Sequence, residues 1–434
     1  MEKLFQLKKH NTNVRTEVIG GLTTFFAMAY IIFVNPNFLS QTGMDHTAVM
    51  LATCISAAIG CFLTAFMANV PFAQAPGMGL NAFFTYTICF GMGYTWQQGL
   101  AIVFISGLIF LAVSVSPIRK QIIDSIPAPL KAAISAGIGL FICLIGLLNA
   151  GIVTAGNNLL DLSNITSGPA LLALIGLIIT GILMAWKVKG ALFIGILVTT
   201  VIGIPMGVTN LSNVNVSFEG ISVAPTFFKL SFVGLLSKGI LPLLTAIVTF
   251  AMCDCFDTVG TLIGTAGSAG MLDENGNLPR GDKALIADAV ATCTGALMGT
   301  STVTTFVESS TGISEGARTG LSSVVVGILV LLGCVLAPIA GIIPSAATAP
   351  ALIIVGMFMI GNVAKIDWSD VEVALPCFLT IAMMPFAYSI SDGIGFGFIS
   401  YTLIKMARGK FKEVPVLLYI LSALFVVMYI LAAL

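Results

Sequence analysis

The chain has 434 residues, of which 57% are hydrophobic and only 9% are charged, with no formal net charge at pH 7. A soluble globular domain carries about 25% charged residues, so this chain cannot cover itself with a solvated surface and is expected to lie in a lipid bilayer. Balanced charge and two histidines give no electrostatic case for nucleic-acid binding. Cys253 and Cys255 flank Asp254 without further Cys or His ligands nearby, so no metal or other cofactor is expected.

Hydropathy predicts two series of seven membrane spans. The first series is predicted near residues 17–36, 47–68, 77–92, 97–116, 130–150, 169–186 and 190–207. After a polar stretch, the second series is predicted near 239–264, 284–299, 303–318, 320–340, 347–362, 370–388 and 392–407. Residues 414–433 are left over, either as an added C-terminal helix or because one segment does not fully cross.

The two halves resemble one another in sequence. IPAPLKAAISAGIGLFICLIG at 126–146 resembles IPSAATAPALIIVGMFMIG at 343–361. In the same order, KGALFIGILVTTVIG at 189–203 resembles DGIGFGFISYTLIKM at 392–406. An odd number of spans in each half turns the second copy upside down, so we predict the inverted repeat of many secondary transporters.

Positive charge predicts the orientation in the cell membrane. Lys and Arg residues precede span one and lie at the links between spans four and five, six and seven, and eight and nine: Lys8, Lys9, Arg15, Arg119, Lys120, Lys131, Lys187, Lys189, Arg280 and Lys283. The opposite loops, 151–168 and 341–346, contain neither residue type. Because Lys and Arg are enriched in cytoplasmic loops, the tail at residues 1–15 is predicted to be cytoplasmic.

Two stretches at matching places are unlike ordinary membrane helices: VPFAQAPGMGLNAFFTYTI at 70–88 and GTSTVTTFVESSTGISEGARTG at 299–320. Pro71 and Pro76 oppose helix in the first stretch. The β-branched run at 302–305 favours an extended chain in the second. Each stretch is therefore predicted to be a short extended piece that enters a short helix.

Such backbone is tolerated at membrane depth only where protein or cavity water satisfies its N–H and C=O groups. We therefore expect the two extended pieces to meet near the midplane beside a binding site. Asn81 is then predicted near the start of one short helix, and Glu308 near the start of the other.

The string CDCFDTVGTLIG at 253–264 places Asp254 and Asp257 in apolar surroundings. A charged side chain at the bilayer centre costs about 2.5–3.5 kcal/mol on insertion scales, so such acids usually face a cavity and have a function. We expect Asp257 and Glu308 to converge on one ligand, with at least one of the two protonated near neutral pH. The alternative, in which Asp257 caps a helix or pairs with Arg318, stays open.

Four segments together resemble the AzgA-like purine permeases, within the nucleobase–cation symporter group that includes xanthine and uracil permeases. They are TEVIGGLTTFFAMAYIIFVNP (16–36), APGMGLNAFF (75–84), FDTVGTLIG (256–264) and TSTVTTFVESSTGISEGARTG (300–320). The resemblance implies an all-α polytopic membrane fold of 14 spans in two inverted repeats, with a core and a gate domain. The core domain would comprise residues 16–116 and 237–340, the gate domain 117–236 and 341–412, and the C-terminal helix 413–434.

The resemblance further implies proton-coupled uptake of a purine base such as adenine, guanine or hypoxanthine. The substrate-binding residues expected on this basis are Asp257, Glu308, Asn81, Gly79, Ser309 and Phe26. Proton coupling is assigned to Glu308, Asp257 and Asp254. Carboxylates accept from purine N–H groups and an amide both donates and accepts, which agrees with this assignment. Phe26 or Phe83 is expected to stack on the ring.

Other functions fit parts of the pattern. An anion carrier of the sulfate or bicarbonate type is the main alternative on the same architecture, although Asp257 and Glu308 would repel an anion unless protonated. A membrane enzyme would use Asp254 and Asp257 to hold Mg²⁺ and a lipid diphosphate, but the region offers no Lys or Arg before Arg280. A passive channel is a third alternative. The preferred purine, and whether the carrier forms a homodimer, stay open.

Overall fold

The computed structural model describes residues 2–116, 125–156, 159–166, 168–211, 221–273 and 278–433. Within these residues, seven helices are long and apolar enough to cross a membrane, and four shorter apolar helices accompany them. Arg119 and Lys120, two of the residues that predict the orientation, lie outside the described part. The fold is helical, as the composition and hydropathy predict.

The first half of the chain contains nine described helices. They are α1 (Glu2–Phe5), α2 (Val14–Met28), α3 (Ile31–Leu39), α4 (His46–Leu63), α5 (Met78–Ala82), α6 (Trp96–Val115), α7 (Ala128–Asn149), α8 (Gly168–Ala185) and α9 (Ala191–Gly203). Helices α2 and α3 follow each other closely and form the first span, Val14–Thr42. Strand β1 (Gln74–Pro76) precedes α5, which continues as a π-helix over Phe83–Gly91. Strands β2 (Val153–Gly156) and β3 (Leu159–Leu162) pair between α7 and α8.

The second half repeats this order. Its elements are α10 (Ile240–Ser268), α11 (Gly281–Met298), β4 (Val303–Thr305), α12 (Ser309–Ser314), α13 (Gly320–Leu332), α14 (Ala337–Ala340), α15 (Ser345–Ile360), α16 (Val371–Phe386), α17 (Ile390–Ala407) and α18 (Val416–Ala433). In each half the third span consists of a strand followed by a short helix, as predicted. Helix α18 follows the second set of seven spans, where the sequence predicts a leftover C-terminal segment.

Strands β1 and β4 pair antiparallel inside the helical bundle. Gln74 lies opposite Thr305, and Pro76 lies opposite Val303. Backbone bonds extend the pairing on both sides, from Phe306 N–H to the Ala73 carbonyl at 2.9 Å and from Gly77 N–H to the Thr302 carbonyl at 3.1 Å. All six strand residues are buried, so this pairing satisfies backbone groups that lipid could not. Below, this pair is called the strand crossing.

Helices of the two halves interleave around the strand crossing. Helix α13 packs against α2 and α4, and α11 packs against α6 and α4. Elsewhere, α7 packs against α15 and α16, and α9 packs against α8 and α15. Glycines allow α7 and α15 to approach each other closely: a methyl group added at Gly139 would come within 2.8 Å of the Gly356 carbonyl oxygen.

Candidate functional site

Tyr30 joins the first span to the second broken span. It lies between α2 and α3, is 1% exposed, and its hydroxyl donates a hydrogen bond of 2.6 Å to Glu308 Oε1. This length is typical of an O–H donor bound to a carboxylate, which is among the stronger hydrogen bonds in proteins. Glu308 immediately precedes α12, close to where the sequence predicts it. No local sequence pattern indicates that Tyr30 binds Glu308, because the two residues are 278 positions apart in the chain.

Asp257 lies on an exposed face of α10, and the space in front of this face is called the hollow below. Its side chain is exposed although its helix is predominantly apolar. Gly260 and Gly264 follow on the same face at helical spacing, and a methyl group added at either would meet no atom within 4 Å. Asp257 is close enough to Glu308 and to Tyr30 to interact with both electrostatically. The structure thus brings the two predicted acids together, with Tyr30 as an unforeseen third member.

The two aromatic candidates differ in access. Phe26 is 41% exposed, and its ring packs edge-on against Phe25 with centroids 5.4 Å apart. Phe83 is fully buried, with its ring centroid 4.7 Å from that of Phe250. Of the two rings, only that of Phe26 has an exposed surface, and its contact with a substrate stays a prediction.

Three of the predicted substrate-binding residues contact other parts of the protein in this conformation. Asn81 is fully buried, and its amide oxygen accepts a hydrogen bond from the Ser301 hydroxyl. Ser309 Oγ accepts from the backbone N–H of Ala73 at 3.0 Å, which links α12 to the segment before β1. Gly79 packs so closely that an added methyl group would come within 2.5 Å of Ile138 Cγ2 on α7. Direct substrate contact by these three residues stays a prediction.

Asp254 and a second acid lie behind the strand crossing. Asp254 is 1% exposed, and its Oδ2 accepts from the Thr292 hydroxyl at 2.7 Å. Asp288 on α11 is fully buried, and its Oδ1 accepts from the Thr305 hydroxyl at 2.8 Å and from Gln74 Nε2 at 3.2 Å. Sequence reasoning missed Asp288, although an acid within the apolar segment 284–299 meets the criterion that selects Asp257.

Arg318, which the sequence offers as a possible partner of Asp257, binds other groups in the structure. Its guanidinium donates to the carbonyl oxygens of Ile313 and Ala317 at 2.6 and 2.7 Å. Its backbone N–H donates to the buried carboxylate of Glu17 at 2.8 Å. Arg318 therefore terminates α12, and among the described residues no ion pair joins it to Asp257.

Two helical halves that meet at an antiparallel strand crossing, with acids beside it, define a multi-pass membrane transporter of the inverted-repeat class. Residues 15–396 match the Permease family (Xan_ur_permease). The chain belongs to this family, and it is a permease, not an enzyme. This result confirms the family resemblance seen in the sequence motifs.

Relatives named as purine permeases match along nearly the whole chain. The guanine/hypoxanthine permease PbuG of Bacillus subtilis strain 168 is 45% identical, over 99% of this chain and 99% of that protein. The adenine permease AdeP of Escherichia coli strain K12 is 41% identical, over 98% of this chain and 95% of that protein.

A solved structure shares the fold. The transmembrane domain of a cyanobacterial bicarbonate transporter, BicA, superposes with a TM-score of 0.68 over 88% of this chain and 97% of that domain. Its sequence is only 17% identical, so the likeness concerns the fold and not the substrate.

Proposed function

We propose that this permease imports purine nucleobases across the cell membrane by proton symport, with its N-terminus in the cytoplasm. The observation that carries the proposal is the grouping of Asp257, Glu308 and Tyr30 beside the strand crossing. The names of relatives that match the chain from end to end, guanine/hypoxanthine permease and adenine permease, support a purine as the substrate.

The hollow offers the chemistry that a purine requires. Carboxylate oxygens of Asp257 and Glu308 accept hydrogen bonds from ring and exocyclic N–H groups. The free ring of Phe26 provides a surface on which the flat heterocycle stacks. Tyr30 fixes the orientation of the Glu308 carboxylate by donating to its Oε1 atom. The other oxygen of Glu308 is then left to accept a hydrogen bond from the ligand.

Transport by alternating access requires two bodies that move relative to each other. We propose that spans 1–4 and 8–11 form the core and that spans 5–7 and 12–14 form the gate. Contacts between the two groups include the ion pair of Lys189 with Glu315 at 2.7 Å, and Lys131 Nζ, which lies 5.3 Å from the ring centroid of Phe256. Movement of the gate across these contacts exposes the hollow to one side and then to the other.

The acids also supply the coupling to protons. Two neighbouring carboxylates hold a proton more readily than an isolated carboxylate, because their mutual repulsion disfavours two negative charges. Protonation from outside reduces the negative charge before the base binds, and both ligands leave on the inside. The anion carrier is less well supported, because the two acids would repel an anion.

Uptake into proteoliposomes tests the proposal. Radiolabelled adenine, guanine, hypoxanthine and sulfate are supplied with and without an inward proton gradient. Accumulation of at least one purine above equilibrium, lost on addition of a protonophore, is expected, without sulfate accumulation. Asp257→Asn and Glu308→Gln should abolish accumulation, whereas Asp367→Asn, in an exposed turn, should not. Sulfate accumulation without purine uptake would favour the anion carrier, and purine equilibration without accumulation would favour a channel.

A further inference from the structure

A second polar cluster lies behind the strand crossing, separate from the hollow. Asp254 on α10 and Asp288 on α11 are buried there, and each has one carboxylate oxygen bound to a threonine hydroxyl. Thr292 binds Asp254 from α11, and Thr305 binds Asp288 from β4. The two acids therefore connect three elements that meet at the crossing.

Two further hydroxyls connect the acids to each other. Thr304 of β4 lies beside the Asp254 carboxyl, and Thr258 of α10 lies beside the Asp288 carboxyl. The hydroxyl oxygens of Thr258 and Thr304 are 2.8 Å apart and both residues are buried. The two carboxyls therefore share buried threonine hydroxyls as neighbours.

The cluster is short of positive charge and of hydrogen-bond donors. Asp254 Oδ1 and Asp288 Oδ2 are buried and have no hydrogen-bond partner among the described residues. The hydrogen bonds described for the two acids come from neutral donors, namely the hydroxyls of Thr292 and Thr305 and the amide of Gln74. Two ionised carboxylates in this environment would repel each other without solvation, so the arrangement requires a cation.

We propose that Asp254 and Asp288 together bind one exchangeable monovalent cation, a proton or Na⁺, behind the strand crossing. A proton would occupy Asp254 Oδ1 or Asp288 Oδ2, the two oxygens that lack a partner, and no other bond would form or break. Na⁺ would use the same two oxygens, with the hydroxyls of Thr258 and Thr304 as neutral oxygen ligands. Two carboxylates and neutral hydroxyls suit a single charge better than a divalent ion, which typically takes more oxygen ligands.

In the described part of the chain, the titratable groups around the cluster include Asp257, Cys253 and Cys255 on α10 and Cys293 on α11, with Lys131 of α7 acting on Cys255. Cys61 of α4 contacts the backbone of Gln74. Asp257 is the group that links the cluster to the hollow. It lies three positions after Asp254, about one helical turn, and the two carboxyls interact electrostatically.

Cation binding at this cluster affects the hollow in two ways. A positive charge beside Asp254 reduces the repulsion that Asp257 experiences. Through Asp288 and Thr305, the cation also fixes β4, which leads to Glu308 three residues further on. This part of the inference rests on the proposed function, because it gives the transporter a second cation site beside the proton-binding acids of the hollow.

The test uses the purified full-length protein in lipid nanodiscs, without any purine. Infrared difference spectra report the carbonyl stretch of a protonated carboxylic acid, and a thermal-unfolding series compares Na⁺ with K⁺ and choline at equal ionic strength. If the cation is a proton, a carboxylic-acid band persists in Na⁺ and no Na⁺-specific stabilisation is seen. If it is Na⁺, the ion removes the band and raises the unfolding temperature, whereas K⁺ and choline do not.

The double variant Asp254→Asn/Asp288→Asn should lose the band and any Na⁺ effect. Asp282→Asn, at the start of the same helix as Asp288, is the matched control and should retain both. If the double variant is not monodisperse, Asp288→Asn alone should change the band position and lose the Na⁺ effect. The proposal would be overturned if the wild type showed neither a band nor a Na⁺ effect. It would also be overturned if the signals of the variants were unchanged. Because no purine is present, this outcome is independent of whether the protein transports purines.

Discussion

Lys189 Nζ lies 2.7 Å from Glu315 Oε1, and this ion pair joins the link between α8 and α9 to the end of α12. Lys189 belongs to the proposed gate, and Glu315 belongs to the proposed core. The sequence offered no role for Glu315. Because both side chains are partly exposed, the pair contributes little to folding. If the proposed gate moves against the proposed core, we expect this pair to stabilise one conformation of the transporter over the other.

Neutralising this ion pair should change the balance of conformations more than the stability. An exposed pair contributes about 0.2–1 kcal/mol, which corresponds to a change of up to roughly fivefold in an equilibrium constant. Lys189→Gln and Glu315→Gln should each alter the KM for uptake within that range. The charge-swapped variant Lys189→Glu/Glu315→Lys should restore the wild-type KM. A swap that behaves no better than the single variants would show that the pair itself is not responsible.

Removal of the Tyr30 hydroxyl should weaken substrate binding. A hydrogen bond to a charged group contributes about 1.5–3 kcal/mol, so Tyr30→Phe should raise the dissociation constant for the base by roughly tenfold or more. Equilibrium binding of a radiolabelled purine to the purified variant measures this change. Tyr94→Phe is the control, because its hydroxyl contacts the Leu235 carbonyl instead. Equal affinities for Tyr30→Phe and the wild type would mean that Glu308 needs no positioning.

Gly79 should be intolerant of even one added methyl group. In Gly79→Ala the new methyl would lie 2.5 Å from Ile138 Cγ2, and relieving such overpacking typically costs about 1–3 kcal/mol. We expect reduced uptake, with partial recovery in Gly79→Ala/Ile138→Ala, which removes the clashing atom. Gly181→Ala, where a methyl group meets no atom within 4 Å, should transport normally. No recovery in the double variant would argue for a direct role of Gly79.

Glu17 should be important for stability. Its buried carboxylate accepts backbone hydrogen bonds from Arg318, Thr319 and Ser322, which lie at and just before the start of α13. Leaving a buried donor unsatisfied costs about 1–3 kcal/mol, so Glu17→Ala should lower the unfolding temperature clearly. Glu17→Gln, which keeps one acceptor oxygen, should lower it less. Thermal unfolding in detergent measures both, and equal temperatures for all three proteins would contradict the assignment.

Local chemistry in the sequence predicts much of the fold. Pro71, Pro76 and the β-branched run at 302–305 predict the two extended pieces, which the structure pairs at the strand crossing. Asp257 and Glu308 could be selected because ionisable side chains are costly within a membrane. These features depend on residue type and on near neighbours in the chain, so a single sequence is enough to find them.

Long-range contacts could not be predicted in the same way. No local pattern indicates that Tyr30 binds Glu308 or that Gln74 reaches Asp288, since these pairs are 278 and 214 positions apart. The environment of Asn81 was also not predictable, because only the folded structure places Ser301 against its amide. Contacts of this kind depend on how the two halves pack together.

The central claim is that a purine base binds between Asp257 and Glu308. An experimental structure of the protein with a bound base, such as hypoxanthine or adenine, tests it most directly. We predict that N–H groups of the base lie within hydrogen-bond distance of both carboxyl groups, with the ring against Phe26. A base bound elsewhere, with neither carboxyl group in contact, would contradict the account.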